Sequence, residues 1–347
     1  MAGGLLVYSG LVTKTKAMHG ALLGREEIIR LSEYETVEEL IGFLREYGSY
    51  APIYQSHEGI AHRAQVEAVI GDSLYLDYAK LYRFASGEQR RGLEIIFMRY
   101  EVNVLKSCLE RAIQGSGGQS LPYRKLFFAR HAAFDAEALA AAGSVQELLQ
   151  AVAGTRYEEF LRRLTERPGA TYADCAVQLD IFYYKTAWKR MRHLKDEGMR
   201  EIYAQILGTE IDWQNIMWMY RSKRFFERSE ADIQAHLIPI QHRLTRSQVK
   251  ALLAAENPEM FVEALGRTAY FTGKHSEIKL GDDITFGRVM EKTYQRLCQK
   301  HPMSIASVLK YLYDKENEID ALTTVLEGVR YRIPAREIQD LVLMTVV

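Results

Sequence analysis

A helix-opening pattern recurs three times along the chain at nearly constant intervals. This limits the fold more than any single residue does, because self-similarity at a fixed period means a fold assembled from like units. The first copy is Thr36-Val37-Glu38-Glu39-Leu40-Ile41, running on through Leu44 to Tyr47 and Tyr50. The second is Ser144-Val145-Gln146-Glu147-Leu148-Leu149, through Val152 to Thr155 and Tyr157. The third is Asn257-Pro258-Glu259-Met260-Phe261-Val262, through Leu265 to Thr268 and Tyr270. Each opens on a side chain able to accept from the free amides of a first helical turn. The first two also carry Glu at the fourth place, which makes a capping box. The third has Met there but Pro just inside the start, where a missing amide hydrogen costs a helix nothing.

A second pattern keeps step with the first. Glu101-Val102-Asn103, Glu210-Ile211-Asp212 and Glu318-Ile319-Asp320 each lie in helical sequence that ends in a basic residue: Arg111, Arg221 and Arg330. Successive caps are 108 and 113 residues apart and successive triplets 109 and 108, with cap-to-triplet separations of 65, 66 and 61. Two ordered patterns holding register three times predict three helical units of about 110 residues each. Their limits are 1–117, 118–228 and 229–347, and the flexible run Gly115-Ser116-Gly117-Gly118 falls on the first boundary. Such units stack as an open solenoid or close around a pseudo-threefold axis, and the repeats alone do not choose between these.

The expected fold class is all-α. Only seven prolines occur in 347 residues. Apolar residues fall at helical spacing, as in Met199-Ile202-Ile206-Leu207-Ile211 and Ile305-Val308-Leu309-Leu312. Alternating strand patterns closed by Asn-Gly or Asp-Gly turns are missing. Hydrophobic residues make up 48%, enough to fill a sizeable core. Lys plus Arg equals Asp plus Glu at 45 each, which argues against a dedicated nucleic-acid binder or a clamp on an acidic membrane. Three cysteines cannot close a disulfide framework, so a reducing cytoplasmic setting is the simplest reading. The opening run Met1 to Val12 has no basic residues ahead of it and no small-residue cleavage signal, so it reads as the first element of the fold. The most apolar window, 129–154, is broken by Arg130, Asp135, Glu137 and Glu147, so no membrane span is expected.

The search for chemistry returns mainly exclusions. A Gly-x-x-x-x-Gly-Lys-Ser/Thr loop, a Gly-x-Gly-x-x-Gly turn and a His-Glu-x-x-His pair are all missing, so catalytic, cofactor-binding and metal-ligating residues are each expected to be none. Cys108, Cys175 and Cys298 have no partner at metal-ligand spacing, and Cys108 and Cys298 sit in apolar helical patterns as small hydrophobes. His57 and His62 are five apart and His236 and His242 six apart, neither being the spacing that stacks two ligands on a helix. The acidic run Asp314, Glu316, Glu318 and Asp320 places alternate carboxylates in different directions on a helix, so they do not converge on a cation. Two basic runs are interleaved with aromatic residues: Lys185, Lys189, Arg190, Arg192, His193 and Lys195, and then Arg221, Lys223, Arg224 and Arg228. Neighbouring acids and the zero balance make a solvated or partner-facing surface the better reading than a nucleic-acid site.

One further set of residues points to a family. Tyr8-Ser9-Gly10-Leu11-Val12-Thr13-Lys14-Thr15-Lys16-Ala17-Met18 precedes the Thr36 cap, and Arg99-Tyr100-Glu101-Val102-Asn103-Val104-Leu105-Lys106 follows it. Then come Glu210-Ile211-Asp212-Trp213-Gln214-Asn215-Ile216 and Lys315-Glu316-Asn317-Glu318-Ile319-Asp320-Ala321-Leu322, the last ahead of Arg332-Ile333-Pro334. In order and spacing the chain resembles the central-stalk component of V/A-type rotary ATPases, the C-type subunit of prokaryotes and the d-type subunit of eukaryotes. The lack of long insertions makes the prokaryotic type the nearer match.

The resemblance implies a funnel of three similar helical units about a pseudo-threefold axis, without an active site of its own. It implies a socket that accepts the rotating central shaft, made of D- and F-type subunits, at one end and docks on the membrane proteolipid ring at the other. Such a protein is peripheral to the membrane on its cytoplasmic side and passes torque between ATP chemistry and proton or sodium movement. The open helical-repeat adaptor for another partner is the alternative. For the repeated glutamates we expect equivalent ties: Glu101, Glu210 and Glu318 would be buried or half-buried against basic residues on neighbouring helices. Exposed positions on the helix surface are the plain alternative.

Overall fold

The computed structural model describes residues 2–55, 63–115, 127–167, 169, 171–225, 229–271, 278, 280 and 284–345. His57, His62, Arg228 and the Ser116–Gly118 part of the glycine-rich run lie outside these residues. Eighteen α-helices and no strand occur among the described residues. In chain order, α1 (Ala2–His19) is followed by α2 (Arg25–Leu31), α3 (Val37–Glu46), α4 (Ala51–Gln55) and the long α5 (Arg63–Phe84). The long α6 (Gly87–Gln114) precedes α7 (Phe127–His131), α8 (Ala136–Ala141), α9 (Val145–Ala151) and α10 (Glu158–Thr165). The long α11 (Tyr172–Arg192) and α12 (Glu197–Phe225) come next, then α13 (Glu230–Ala235), α14 (Arg246–Ala254) and α15 (Pro258–Gly266). The chain closes with α16 (Ile284–Lys300), α17 (Ile305–Arg330) and α18 (Ala335–Thr345).

The three helix openings of the sequence pattern are the starts of α3, α9 and α15. Thr36 Oγ1 accepts from the Glu39 amide at 3.3 Å, Ser144 Oγ from Glu147 at 3.3 Å, and Asn257 Oδ1 from Met260 at 2.8 Å. Each satisfies one of the amides that a helix start leaves without a carbonyl. Glu39 and Glu147 also reach back, but to the amides of Glu35 (3.0 Å) and Gly143 (2.7 Å), one residue ahead of the cap.

The chain forms two compact units, residues 87–280 and residues 1–86 with 281–347. In the second of these, α17 is central, packed by α1, α5, α16 and α18 and by the short α2 and α3. In the 87–280 unit, α6 lies against α11, with α8 and α9 on α6, and α13, α14 and α15 against α12. The long helices α6, α12 and α17 are buried around most of their circumference. In α12 every residue from Ile206 to Trp213 is buried, so no simple amphipathic stripe marks it. Among the described glycines the closest approach is at Gly208, where a Cβ would stand 2.3 Å from His242 Cγ, so only glycine lets that segment approach. Among the described residues no helix is long and apolar enough to cross a membrane.

Candidate functional site

Three carboxylates are sunk into the long helices, each held by the same kinds of partner. On α6, Glu101 has no exposed surface; its Oε1 accepts from the Ala133 amide at 2.6 Å, and Oε2 accepts from Tyr157 OH at 2.8 Å and from the Arg156 guanidinium. On α12, Asp212 is 1% exposed, and its Oδ2 accepts from the amides of Arg243 (2.7 Å) and Leu244 (3.0 Å) and from Tyr270 OH (2.7 Å). On α17, Glu318 is 3% exposed; Oε1 accepts from the Leu23 amide at 3.0 Å and Oε2 from Lys315 Nζ at 2.7 Å. The same Nζ donates to Tyr50 OH at 2.9 Å.

Each cradle therefore contains a carboxylate on a long helix, a backbone amide from the segment before a pair of short helices, a tyrosine and a cation. The tyrosines Tyr50, Tyr157 and Tyr270 stand 14, 13 and 13 residues beyond the caps Thr36, Ser144 and Asn257. In every case the cation also lies over the tyrosine ring, with Lys315 4.2 Å from the Tyr50 centroid, Arg156 5.1 Å from Tyr157 and Arg243 4.8 Å from Tyr270. The cations come from three different places: α17 itself, the residue before the tyrosine, and the loop that supplies the amide.

The electrostatics are those of closed polar networks. Burial, followed by the neighbouring carboxylate, pushes the phenols of Tyr50, Tyr157 and Tyr270 above their ordinary value, so all three stay protonated, Tyr157 and Tyr270 as donors to their acids and Tyr50 beneath the Lys315 ammonium. Burial also raises the carboxyl of Glu318, against the opposing pull of Lys315 and the Leu23 amide. Each of these carboxylates lies inside the fold and accepts from an amide together with a phenol or an ammonium. Its chemistry is to fix segments to helices.

Glu101 and Glu318, singled out by the repeat, are the acids of two cradles. Glu210 is buried too, but it turns to Arg99 on α6, whose Nη1 lies 3.3 Å from its Oε1. The residue whose partners match those of Glu101 and Glu318 is Asp212, two positions on. The tyrosines had a signal in the sequence, since each trails its cap by 13 or 14 residues. The three cations had none, because their positions share no register.

The remaining candidates disperse. Cys108 and Cys175 are buried and Cys298 is half-buried, and burial pushes the thiols of Cys175 and Cys298 up, away from nucleophilic thiolate. Asp314 pairs with Lys310 (2.5 Å) and His19 (2.9 Å) while Glu318 turns to Lys315, so this acidic run does not converge. Among the described residues no group of three or more His, Cys, Asp or Glu is placed to hold a metal ion. His236 Nδ1 lies 2.8 Å from the Asp232 carbonyl oxygen, and His242 packs on Gly208. An open groove of about 740 Å³ beside the Glu101 cradle is lined by alanines on and between α8 and α9, together with Asp135, Glu147, Gln150 and Thr155.

Comparison with known proteins covers nearly all of this architecture. A family model described as ATP synthase (C/AC39) subunit matches residues 11–341. A protein of Methanosphaera stadtmanae, named as the C subunit of an A-type ATP synthase, is 23% identical over 346 residues, covering 95% of this chain and 86% of its own. Proteins of the same name from Methanosarcina mazei and Pyrococcus furiosus are each 23% identical, the alignments covering 92% and 96% of this chain and 88% and 90% of theirs. With the family model spanning residues 11–341 of 347, the chain belongs to the ATP synthase (C/AC39) subunit family.

Proposed function

We propose that this protein is the non-catalytic central-stalk socket of a V/A-type rotary ATPase or ATP synthase. It joins the rotating shaft of D- and F-type subunits to the membrane proteolipid ring and transmits torque between them. Its three sequence units, 1–117, 118–228 and 229–347, form similar helical bodies about a pseudo-threefold axis, giving a funnel. The protein sits peripherally on the cytoplasmic side, binds no nucleic acid, and needs neither cofactor nor metal. The coupled ion, proton or sodium, is chosen in the ring.

The observation that carries this reading is the full-length match to relatives named as the C subunit of A-type ATP synthases. The cradles support it on physical grounds. A part that passes torque must resist bending, and a close-packed helical body whose segments are pinned by buried, internally satisfied polar ties is stiff. Directing the best-placed acids inward, as Glu101, Asp212 and Glu318 are, suits a mechanical part better than a catalytic one.

The test is co-expression with the D- and F-type shaft subunits, followed by native mass spectrometry at low and moderate salt. A one-to-one-to-one complex that weakens as salt rises is expected, since separable interfaces carry polar rims whose ion pairs are screened. A free monomer, under conditions where shaft and head subunits assemble with one another, would overturn the proposal.

A further inference from the structure

The two basic runs of the sequence have different fates in the fold. In the second, Lys223 Nζ donates to the Ala255 carbonyl at 2.8 Å, and Arg224 donates to Tyr220 OH at 2.6 Å while lying over the Phe225 ring. The first run stays open. Residues 181–195 hold five Lys or Arg, one His and no acid. Lys185, Lys189 and Arg192 are exposed, and none of them makes an ion pair or side-chain hydrogen bond among the described residues. Several exposed arginines elsewhere are paired along their own helix, Arg91 with Glu88, Arg162 with Glu158, Arg163 with Glu159 and Arg267 with Glu263, whereas these three cations lie together without an acid paired to them among the described residues.

Helix geometry gathers these charges. At 100° per residue, Lys185, Lys189 and Arg192 fall within about 60° of one another, and they span about 10 Å along α11. The helix dipole explains only part of the stripe. Cations in the last turn favour a helix C-terminus, which covers Lys189 and Arg192, but the effect fades within a turn and Lys185 lies two turns from the end.

The neighbouring side chains narrow the partner. A membrane-lying helix needs exposed apolar residues beside its cations. The exposed large apolar side chains among the described residues, including Phe84, Phe225 and Tyr331, are not on α11. A single-strand nucleic-acid site needs an exposed aromatic platform. Here Tyr183 and Tyr184 are buried, Phe182 stacks on Phe160 at 4.6 Å between centroids, and Trp188 is half-buried, so no aromatic ring of α11 beside these cations stands fully exposed. What fits is a solvated protein surface with carboxylates at the same one-turn spacing.

We propose that the Lys185–Lys189–Arg192 face of α11 is a docking stripe for an acidic helix of a partner protein, read by matched charge spacing. This goes beyond the shaft-and-ring reading and does not depend on it.

The probe is a labelled, alanine-based helical peptide with glutamates at positions i, i+4 and i+7, compared with an isomer of equal charge whose glutamates are spread around the helix. Fluorescence anisotropy with the full-length protein in low salt should show the matched peptide binding about fivefold more tightly, the combined effect of three solvated charge pairs. The preference should fade as salt shortens the screening length. The triple variant K185Q/K189Q/R192Q should bind both peptides equally and weakly, while R162Q/R163Q, on an exposed helix whose arginines are already paired, should keep the preference. Circular dichroism of both variants checks that the fold is intact. Equal affinity of the wild type for the two peptides means general charge attraction only and overturns the proposal. So does a preference that survives in the triple variant. Binding to vesicles of equal parts phosphatidylcholine and phosphatidylglycerol, with no preference between peptides, would assign the stripe to a lipid surface and overturn it as well.

Discussion

Lys315 is the most exacting test of how the cradles work, because it has no exposed surface and cannot turn to water if its partner is lost. Lys315→Met keeps most of the apolar stem and removes only the charge. Glu318 then keeps the Leu23 amide at 3.0 Å but has lost its cation, at 3% exposure. Removing one partner of a buried ion pair costs about 3–5 kcal/mol, because the other charge stays buried and uncompensated. The nearby Asp77 offers no relief, since it is itself an acid, engaged by Tyr311 OH at 2.5 Å and Lys80 at 2.8 Å.

The carboxyl has one escape, which is to take up a proton, and this makes the loss depend on pH in a definite direction. Burial already holds the Glu318 carboxyl above its ordinary range, so the folded state binds the proton more readily than the unfolded chain. For such a group, stability is fully present below the unfolded pKa and is lost as pH rises through the folded one. Without Lys315 that window extends upward. The deficit of the variant should therefore grow from pH 5 to pH 8, with a slope of up to about 1.4 kcal/mol per pH unit. Urea unfolding followed by far-UV circular dichroism at pH 5, 6, 7 and 8 measures it for the wild type, K315M, E318Q and the double variant. The double variant holds no unpaired buried charge, so at pH 8 it should be more stable than K315M by about 2 kcal/mol, and nearly flat with pH. A K315M deficit that shrinks as pH rises, or a double variant equal to the sum of the singles, would refute the idea that Lys315 neutralises Glu318.

Three other outcomes follow from the same geometry. Asp212→Asn should destabilise by about 2–3 kcal/mol in denaturant melts, because three donors converge on Oδ2 and a neutral amide oxygen accepts them more weakly than a carboxylate; Glu210→Gln should cost about 1 kcal/mol, since Arg99 is part-exposed and can turn to solvent. Raising the pH above 10 should weaken the fold by about 1.4 kcal/mol per unit for each cradle tyrosine, because the unfolded phenols ionise first; Tyr157→Phe should lower that slope, read from unfolding midpoints with tyrosinate absorbance. Arg332, which holds φ at 54° directly after α17, should accept glycine with a gain of about 0.5–1 kcal/mol in thermal or urea midpoints, because the left-handed backbone strains any side chain bearing a Cβ.

The helical class and the capped starts of α3, α9 and α15 were legible because they rest on local physics. A cap needs only one acceptor next to free amides, and a helix period shows over a dozen residues. The acids of two cradles were legible as well, since Glu101 and Glu318 recur at similar distances from the caps, 65 and 61 residues. The cations were not. A long, flexible lysine or arginine delivers the same charge to one point from many backbone positions. Lys315, Arg156 and Arg243 do so from a helix, from beside the tyrosine and from a loop, so aligning the units finds no common site.

The case of Glu210 shows why burial, which sequence does not display, decides between neighbours. Glu210-Ile211-Asp212 and Glu318-Ile319-Asp320 read alike, yet positions two apart on a helix differ in direction by about 200°. On α6 and α17 only one of those directions is inside: Asn103 and Asp320 are exposed, which leaves Glu101 and Glu318 as the acids that must be paired. On α12 both directions are inside, because α12 is buried all round at this point, so both acids need donors. Asp212 takes the amides of Arg243 and Leu244 and the Tyr270 hydroxyl, and Glu210 takes Arg99. A buried acid on each side of one helix ties segments together in two directions at once, and that arrangement resists twisting as well as bending. Within the 87–280 unit α12 is therefore tied on two sides, to α6 through Glu210 and to residues 243–244 and Tyr270 through Asp212, the residue that the repeat pattern alone does not distinguish.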